Sequence, residues 1–257
     1  MRVGAYSYIG GTRGENQDRY GIGPNFWAIA DGMGGCNGGS QAADTAIQVI
    51  SDFPYDRQTP VESLQQALQE ANRHVYDQGT SSQSLRGMGT TLTVGYLVDN
   101  VLYIGHVGDS RIYLIRDHTI RQLTQDHSFV GELLRDGAIS ADEALHHPNR
   151  NILTRAIGVA PEITIDISQE KIALDDILVL CTDGVCGVLT DEDILEIVEA
   201  NPEPNQAAKT LCHEADRRGG TDNATAIVIC FLPPQSNGLD QMEFGLENRV
   251  ESELTLI

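Results

Sequence analysis

Four aspartates stand beside apolar runs of β character: Asp31, Asp109, Asp183 and Asp222. Glycine follows Asp31 and Asp183, glycine precedes Asp109, and asparagine follows Asp222. A carboxylate ending an apolar strand presents its oxygens at a sheet edge. A neighbouring glycine lets backbone carbonyls and amides reach the same point, because no Cβ intervenes. One Asp-Gly pair is no more than a turn signal; the recurrence at four strand ends is what carries the reading. Carboxylates that meet at one edge repel each other unless cations lie between them. An all-oxygen set suits Mg²⁺ or Mn²⁺. Zinc fits poorly, because no Cys/His cluster has ligand spacing. Two such cations about 4 Å apart hold a bridging water, lower its pKa and neutralise a phosphoryl group during in-line attack. Arg13 is then the natural phosphate clamp, since a guanidinium binds two phosphate oxygens at once. Asp18, on the same polar loop, is placed to accept hydrogen bonds from metal-held waters.

The elements that must position these residues can be read from periodicity. Val3 to Ile9 reads as a strand, Gly10 to Asp18 as a polar loop, and Phe26 to Ala30 as the strand that delivers Asp31. Apolar spacing of 3–4 predicts helices from near Ser40 to Ile50 and over Val61 to Gln78. Thr90 to Val98, Val101 to Val107 and Arg111 to Ile115 read as three strands joined by Asp99-Asn100 and by the corner Gly108-Asp109-Ser110. Their close spacing predicts antiparallel pairing. Residues 126–156 are polar and read as a surface insertion of short helices. Strands are expected again at Ile163 to Ile167, Ile177 to Cys181 and Ala224 to Leu232, with helices over Asp191 to Ala200 and Asn205 to Arg218. Strands and helices in blocks, with hairpins instead of βαβ alternation, predict an α+β fold of antiparallel sheets covered by helices. Pro233-Pro234 ends the last strand, and the acidic stretch to Ile257 reads as a disordered tail.

The chain has 257 residues, of which 40% are hydrophobic, enough for one sizeable core. It carries 37 acidic against 17 basic residues, a formal charge of -20, and Lys171 and Lys209 are its only lysines. That balance argues against a nucleic-acid or anionic-membrane surface, which needs a basic face. Five cysteines without a CxxC pair fit a reducing cytoplasm better than a disulfide framework. With no signal segment and no membrane-length apolar run, the expectation is a soluble cytoplasmic protein, monomeric by default.

The motifs resemble one family closely. Arg13-Gly-Glu-Asn-Gln-Asp18, Ala30-Asp-Gly-Met-Gly-Gly35, Met88-Gly-Thr-Thr91, His106-Val-Gly-Asp-Ser-Arg111, Leu123-Thr-Gln-Asp-His127, Leu153-Thr-Arg-Ala-Ile-Gly158, Cys181-Thr-Asp-Gly184 and Thr221-Asp-Asn223 follow the order of the compact bacterial PP2C (PPM) protein serine/threonine phosphatases. The resemblance covers residues 1–232 and implies a four-layer α-β-β-α sandwich with two central antiparallel sheets. It implies that Asp31 bridges two metals, that the Gly32 carbonyl ligates the second, and that Asp183 and Asp222 complete the first. Asp109, with Asp183, would hold a third and weaker ion, and Arg13 would bind the substrate phosphate. It further implies a phosphoprotein substrate, an opposing serine/threonine kinase, and a flap near 127–155 that influences substrate choice.

One departure is informative. Relatives often carry histidine where this chain has Cys36, and glutamate where it has Ser40. If that histidine protonates the leaving serine, a thiol of unperturbed pKa near about 8.5 is a poor substitute. Two functions therefore compete: a phosphatase, or a catalytically weak relative that binds phosphoproteins. Retention of Arg13, Asp31, Asp183 and Asp222 favours the enzyme. A covalent aspartyl-phosphate route lacks its DxD, and no GxxxxGK[ST] supports a Walker site. Bland roles are expected for His106 (a hydrogen-bonded core residue), His127 (a helix cap), Asp126 (an N-cap), Arg111 and Arg155 (ion pairs) and the solvated pair His146-His147.

Overall fold

The computed structural model describes residues 1–34, 38–140, 143–144 and 147–232. Strand β3 (Phe26–Met33) shows how its layers arise. Successive side chains of a strand point to opposite faces. Trp27 and Ile29 enter one core, with Leu102, Ile104, Leu178, Leu180, Ile227 and Ile229. Ala28 and Ala30 enter another, with Ala42, Ala46, Leu64 and Leu68. Both faces of β3 are dry, so the strand lies inside the molecule.

The first sheet has the antiparallel order β2 (Asp18–Ile22), β3, β5 (Leu92–Val98), β6 (Val101–Val107), β9 (Asp166–Lys171). A two-residue strand, β4 (Gly89–Thr90), pairs with the end of β3. The second sheet runs β1 (Arg2–Tyr8), β11 (Ala224–Cys230), β10 (Ile177–Cys181), β7 (Arg111–Arg116), β8 (Thr119–Gln122). Helices α1 (Gly38–Asp52) and α2 (Pro60–Ser81) cover the first sheet. The buried alanines of α1 let it sit close to β3. A flap helix, α3 (Phe129–Arg135), starts at an N-cap on Ser128. The short α4 (Asp183–Cys186) follows β10. Helices α5 (Asp191–Ala200) and α6 (Pro204–Arg217) cover the second sheet. Thr190 and Asp193 close a reciprocal capping box on α5, worth about 1 kcal/mol. The expected four layers are present.

Several local expectations change. β3 does not end at Asp31; it runs on to Met33 because Gly32 and Met33 pair with β4. Asp18 opens strand β2 instead of closing a loop. β6 and β7, one corner apart, do not pair with each other: the chain passes from one sheet to the other at Gly108–Ser110. Gly108, at φ +115°, makes that passage, and a Cβ there would meet Thr91 at 2.5 Å. The strand expected at Ile163 to Ile167 lies further on, at Asp166–Lys171. Ile163 and Ile165 pack on the helix-side core instead of entering the sheet. Asp126 does not cap a helix, and the hairpin strand β8 carries too little apolar pattern to be read from sequence. The expected tail, Cys36 and His146 lie outside the described residues.

Candidate active site

The sandwich brings its carboxylates together from both sheets. Asp18 and Asp31 are register partners on β2 and β3 of the first sheet. Asp183 begins α4 just after β10, and Asp222 precedes β11 in the second. Asp109 sits on the passage between the sheets. Each position has a local cause. Gly184 lets α4 start against β11, since a Cβ there would lie 1.9 Å from the Asn223 carbonyl. Asn223 ties the Arg13 loop to Asp222: its Nδ2 donates to the Ile9 and Glu15 carbonyls, and its Oδ1 accepts from the Gln17 N–H. Thr91 fixes Asp31 by accepting its backbone N–H, and Thr90 Oγ1 donates to the Asp31 carbonyl.

The electrostatics are those of crowded like charges. Asp18 is buried and pushed up to about 7, first by burial and then by Asp183 and Asp222, against hydrogen bonds from Thr225 and Thr182. Asp31 is raised well above the carboxylate range by burial, then by Asp18, Asp183 and Asp109. Burial and Asp183 raise Asp109 well above it too, with Arg111 opposing. Burial and Asp222 raise Asp183. Asp31 and Asp183 each act on the other's carboxyl, Asp183 adding to the rise at Asp31. Arg13 Nη2 donates to Asp222 Oδ2 at 2.5 Å, and its side chain is half exposed.

These residues fit divalent cations. Asp18 Oδ1 and Asp183 Oδ1 are buried without a hydrogen-bond partner, a costly state for a carboxylate oxygen. The Gly32 carbonyl has room beside it only because residue 39 is glycine; a Cβ there would stand 2.7 Å away. Among the described residues no three carboxylate, histidine or cysteine side chains already converge as a cage for one ion. Arg13 holds Asp222 in an ion pair at the rim.

A cleft of about 450 Å³ opens over Asp109, Asp183 and Asp222 and runs past Arg111 and Asp126 to Val130 and Leu134 of α3. A second cavity of about 500 Å³, between the end of α2 and Gly158–Val159, contains none of the carboxylates. Of the carboxylates singled out from the sequence, Asp109, Asp183 and Asp222 therefore line the first. Arg111 and Arg155 are ion-paired, with Asp126 and Asp166. His106 is a buried core histidine held by Thr93 and the Gln125 carbonyl, but His127 caps nothing. It bonds to Gly108 and Asp166. Sequence reasoning also missed Thr182 and Thr225, which both donate to Asp18 Oδ2 across the sheets. Thr182 lies within the motif Cys181-Thr-Asp-Gly184 and Thr225 two residues beyond Thr221-Asp-Asn223, the signal that could have marked them.

Residues 12–212 match the family model described as protein phosphatase 2C. The chain is 35% identical to the serine/threonine phosphatase stp of Listeria monocytogenes over 86% of this chain and 92% of that protein. It is 34% identical to protein phosphatase PhpP of Streptococcus pneumoniae over 89% and 97%. The solved serine/threonine phosphatase PstP/Ppp of Mycobacterium tuberculosis superposes with a TM-score of 0.85 at 34% identity, covering 90% of this chain and 99% of that one. A PstP catalytic domain solved with two manganese ions gives 0.84 at 32% identity, covering 90% and 98%. Fold, motif order and these likenesses agree: the chain belongs to the protein phosphatase 2C family.

Proposed function

We propose that this chain is a metal-dependent phosphatase that hydrolyses phosphoserine and phosphothreonine in proteins, with water as the nucleophile. The observation that carries the reading is the gathering of Asp18, Asp31, Asp109, Asp183 and Asp222 at one seam, two of them with orphaned buried oxygens. Asp31, Asp183, Asp222 and the Gly32 carbonyl are the groups that would hold Mg²⁺ or Mn²⁺, with Asp109 and Asp183 as the pair for a weaker third ion. When bound, such ions supply an acidified water and neutralise charge on the phosphoryl oxygens.

The chain's own groups do the rest. Arg13, half exposed at the rim, exchanges its bond to Asp222 for a bidentate hold on the phosphate. Asp18, held by Thr182 and Thr225 through one oxygen, keeps the other without a hydrogen-bond partner, where it can accept a proton or orient a water. The cleft beyond Asp109 receives the peptide around the phosphorylated residue. The source of the phosphorylated substrate is an opposing serine/threonine kinase, and the working unit is a monomer.

The test is hydrolysis of an aryl phosphate and a phosphothreonine peptide with Mn²⁺, with Mg²⁺ and with chelator, alongside Asp183→Asn. Metal-dependent turnover that disappears in the variant is expected. A folded protein that binds phosphopeptide but turns over neither substrate would leave the binding-module alternative standing.

A further inference from the structure

His127 is fully buried and grips the Asp109 loop from two sides. Its backbone N–H donates to the Gly108 carbonyl at 2.7 Å, and its Nδ1 accepts the Gly108 N–H at 3.1 Å. That second bond places the ring proton on Nε2, which donates to Asp166 Oδ2 at 3.1 Å. The other oxygen of Asp166 holds Arg155 at 2.7 Å. The His127 carbonyl accepts from the Thr154 N–H, and Ser128 bridges Leu153, so both stems of the flap meet at this residue. His106 packs on the ring in a tilted arrangement, centroids 4.6 Å apart, and holds the Gln125 carbonyl. On the other side, Gly108 lies against Thr91, whose hydroxyl carries the Asp31 N–H.

We infer that His127 is a positioning residue that couples the flap stems to the Asp109 loop and thereby sets how a phosphopeptide, more than a small phosphate ester, is seated over the carboxylates. The inference rests on the phosphatase reading above. A peptide must lie in the cleft between α3 and α4, so its seating depends on where the stems stand. A small ester needs only Arg13 and the carboxylates. Loss of a buried orienting partner of this kind costs roughly 10–100-fold where its effect is felt.

The experiment compares His127→Phe, which keeps a ring but neither hydrogen bond, with His127→Asn, which keeps an acceptor for the Gly108 N–H. Asp166→Ala removes the Nε2 partner from a half-exposed position and covers the case in which the buried variants fail to fold. Two readouts are taken: the ratio of kcat/KM on a phosphothreonine peptide to that on an aryl phosphate, and amide hydrogen exchange in the presence of chelator. His127→Phe is expected to lower the ratio about tenfold and to raise exchange in Phe129–Arg135 while β11 stays protected. His127→Asn should recover part of both changes, and Asp166→Ala should move them in the same direction. An unchanged ratio, or exchange that rises equally across both sheets, would overturn the inference. If the wild-type protein hydrolyses neither substrate, the phosphatase reading fails separately, and exchange alone decides whether His127 holds the stems.

Discussion

Asp18 and Asp31 stand directly opposite each other across the β2–β3 pair. Like charges so placed destabilise a sheet, and the titration of the protein without cations should show it. An unfolded aspartate titrates near about 3.9, whereas Asp18 is pushed up to about 7. Between those values the folded state holds the extra proton. The Asp18 contribution is thus complete below about pH 4 and lost as pH rises through about 7. Asp31, Asp109 and Asp183 shift in the same direction. His106, pushed down to about 4 by burial and His127, works the other way: its contribution is present above about 6.5 and lost as pH falls through about 4. His127, lowered first by burial, acts in the same direction as His106, but four carboxylates outweigh two imidazoles. Chelated protein should therefore melt at lower temperature at pH 8 than at pH 5, and Mn²⁺ should remove most of the slope. A melting temperature that climbs over that range with chelator would contradict this account.

The same repulsion predicts a trade between stability and activity. Asp31→Asn removes one charge from the seam and should raise the chelated protein's melting temperature by about 2–4 °C, the shift that about 1 kcal/mol gives in a domain of this size. Turnover should fall by at least about 10²-fold. Calorimetry and steady-state kinetics on one preparation would decide both halves.

Arg13 separates charge from shape. Arg13→Lys keeps the cation but not the fork, and Arg13→Ala loses both. Peptide KM should rise about tenfold in the alanine variant and by less in the lysine variant, a loss of about 1.4 kcal/mol for the former. Equal effects would mean that only long-range charge matters.

Gly184 tests the junction between Asp183 and Asp222. The Cβ of Gly184→Ala would stand 1.9 Å from the Asn223 carbonyl, so α4 or β11 must shift. Such overpacking costs about 1–3 kcal/mol. Chemical denaturation should show the loss, with a raised metal requirement in the variant that survives.

Cys36, outside the described residues, is tested through its chemistry. Cys36→His should speed hydrolysis of a phosphoserine peptide, whose alkoxide needs a proton, and leave an aryl phosphate nearly unchanged. The same gain on both substrates would rule out leaving-group protonation.

Much of this molecule was legible as pattern. Period-2 and period-3.6 spacing located β10, α5 and α6 within a residue, because both faces of those elements are decided by burial. The carboxylates were legible because glycine and strand ends mark them. Less legible was anything that depends on the partner strand. Nothing local distinguishes a corner that pairs two strands from one that sends them into different sheets, so the spacing alone joins β6 to β7 where the fold separates them. Asp18 reads as a loop residue because β2 has no strong alternation; its pairing with β3 makes it part of a strand. His127 looked like a cap because its partners, Gly108 and Asp166, are distant in sequence.

The carboxylates come from both sheets, and Thr182 and Thr225 of one sheet hold Asp18 of the other. Whatever sets the gap between the sheets, including the inter-sheet residues Trp27, Ile112 and Leu180, also sets the separation of the oxygens. Metal affinity then becomes a gauge of sandwich thickness. Variants that thin or swell the inter-sheet filling should first betray themselves as enzymes with an altered cation requirement, well before they unfold.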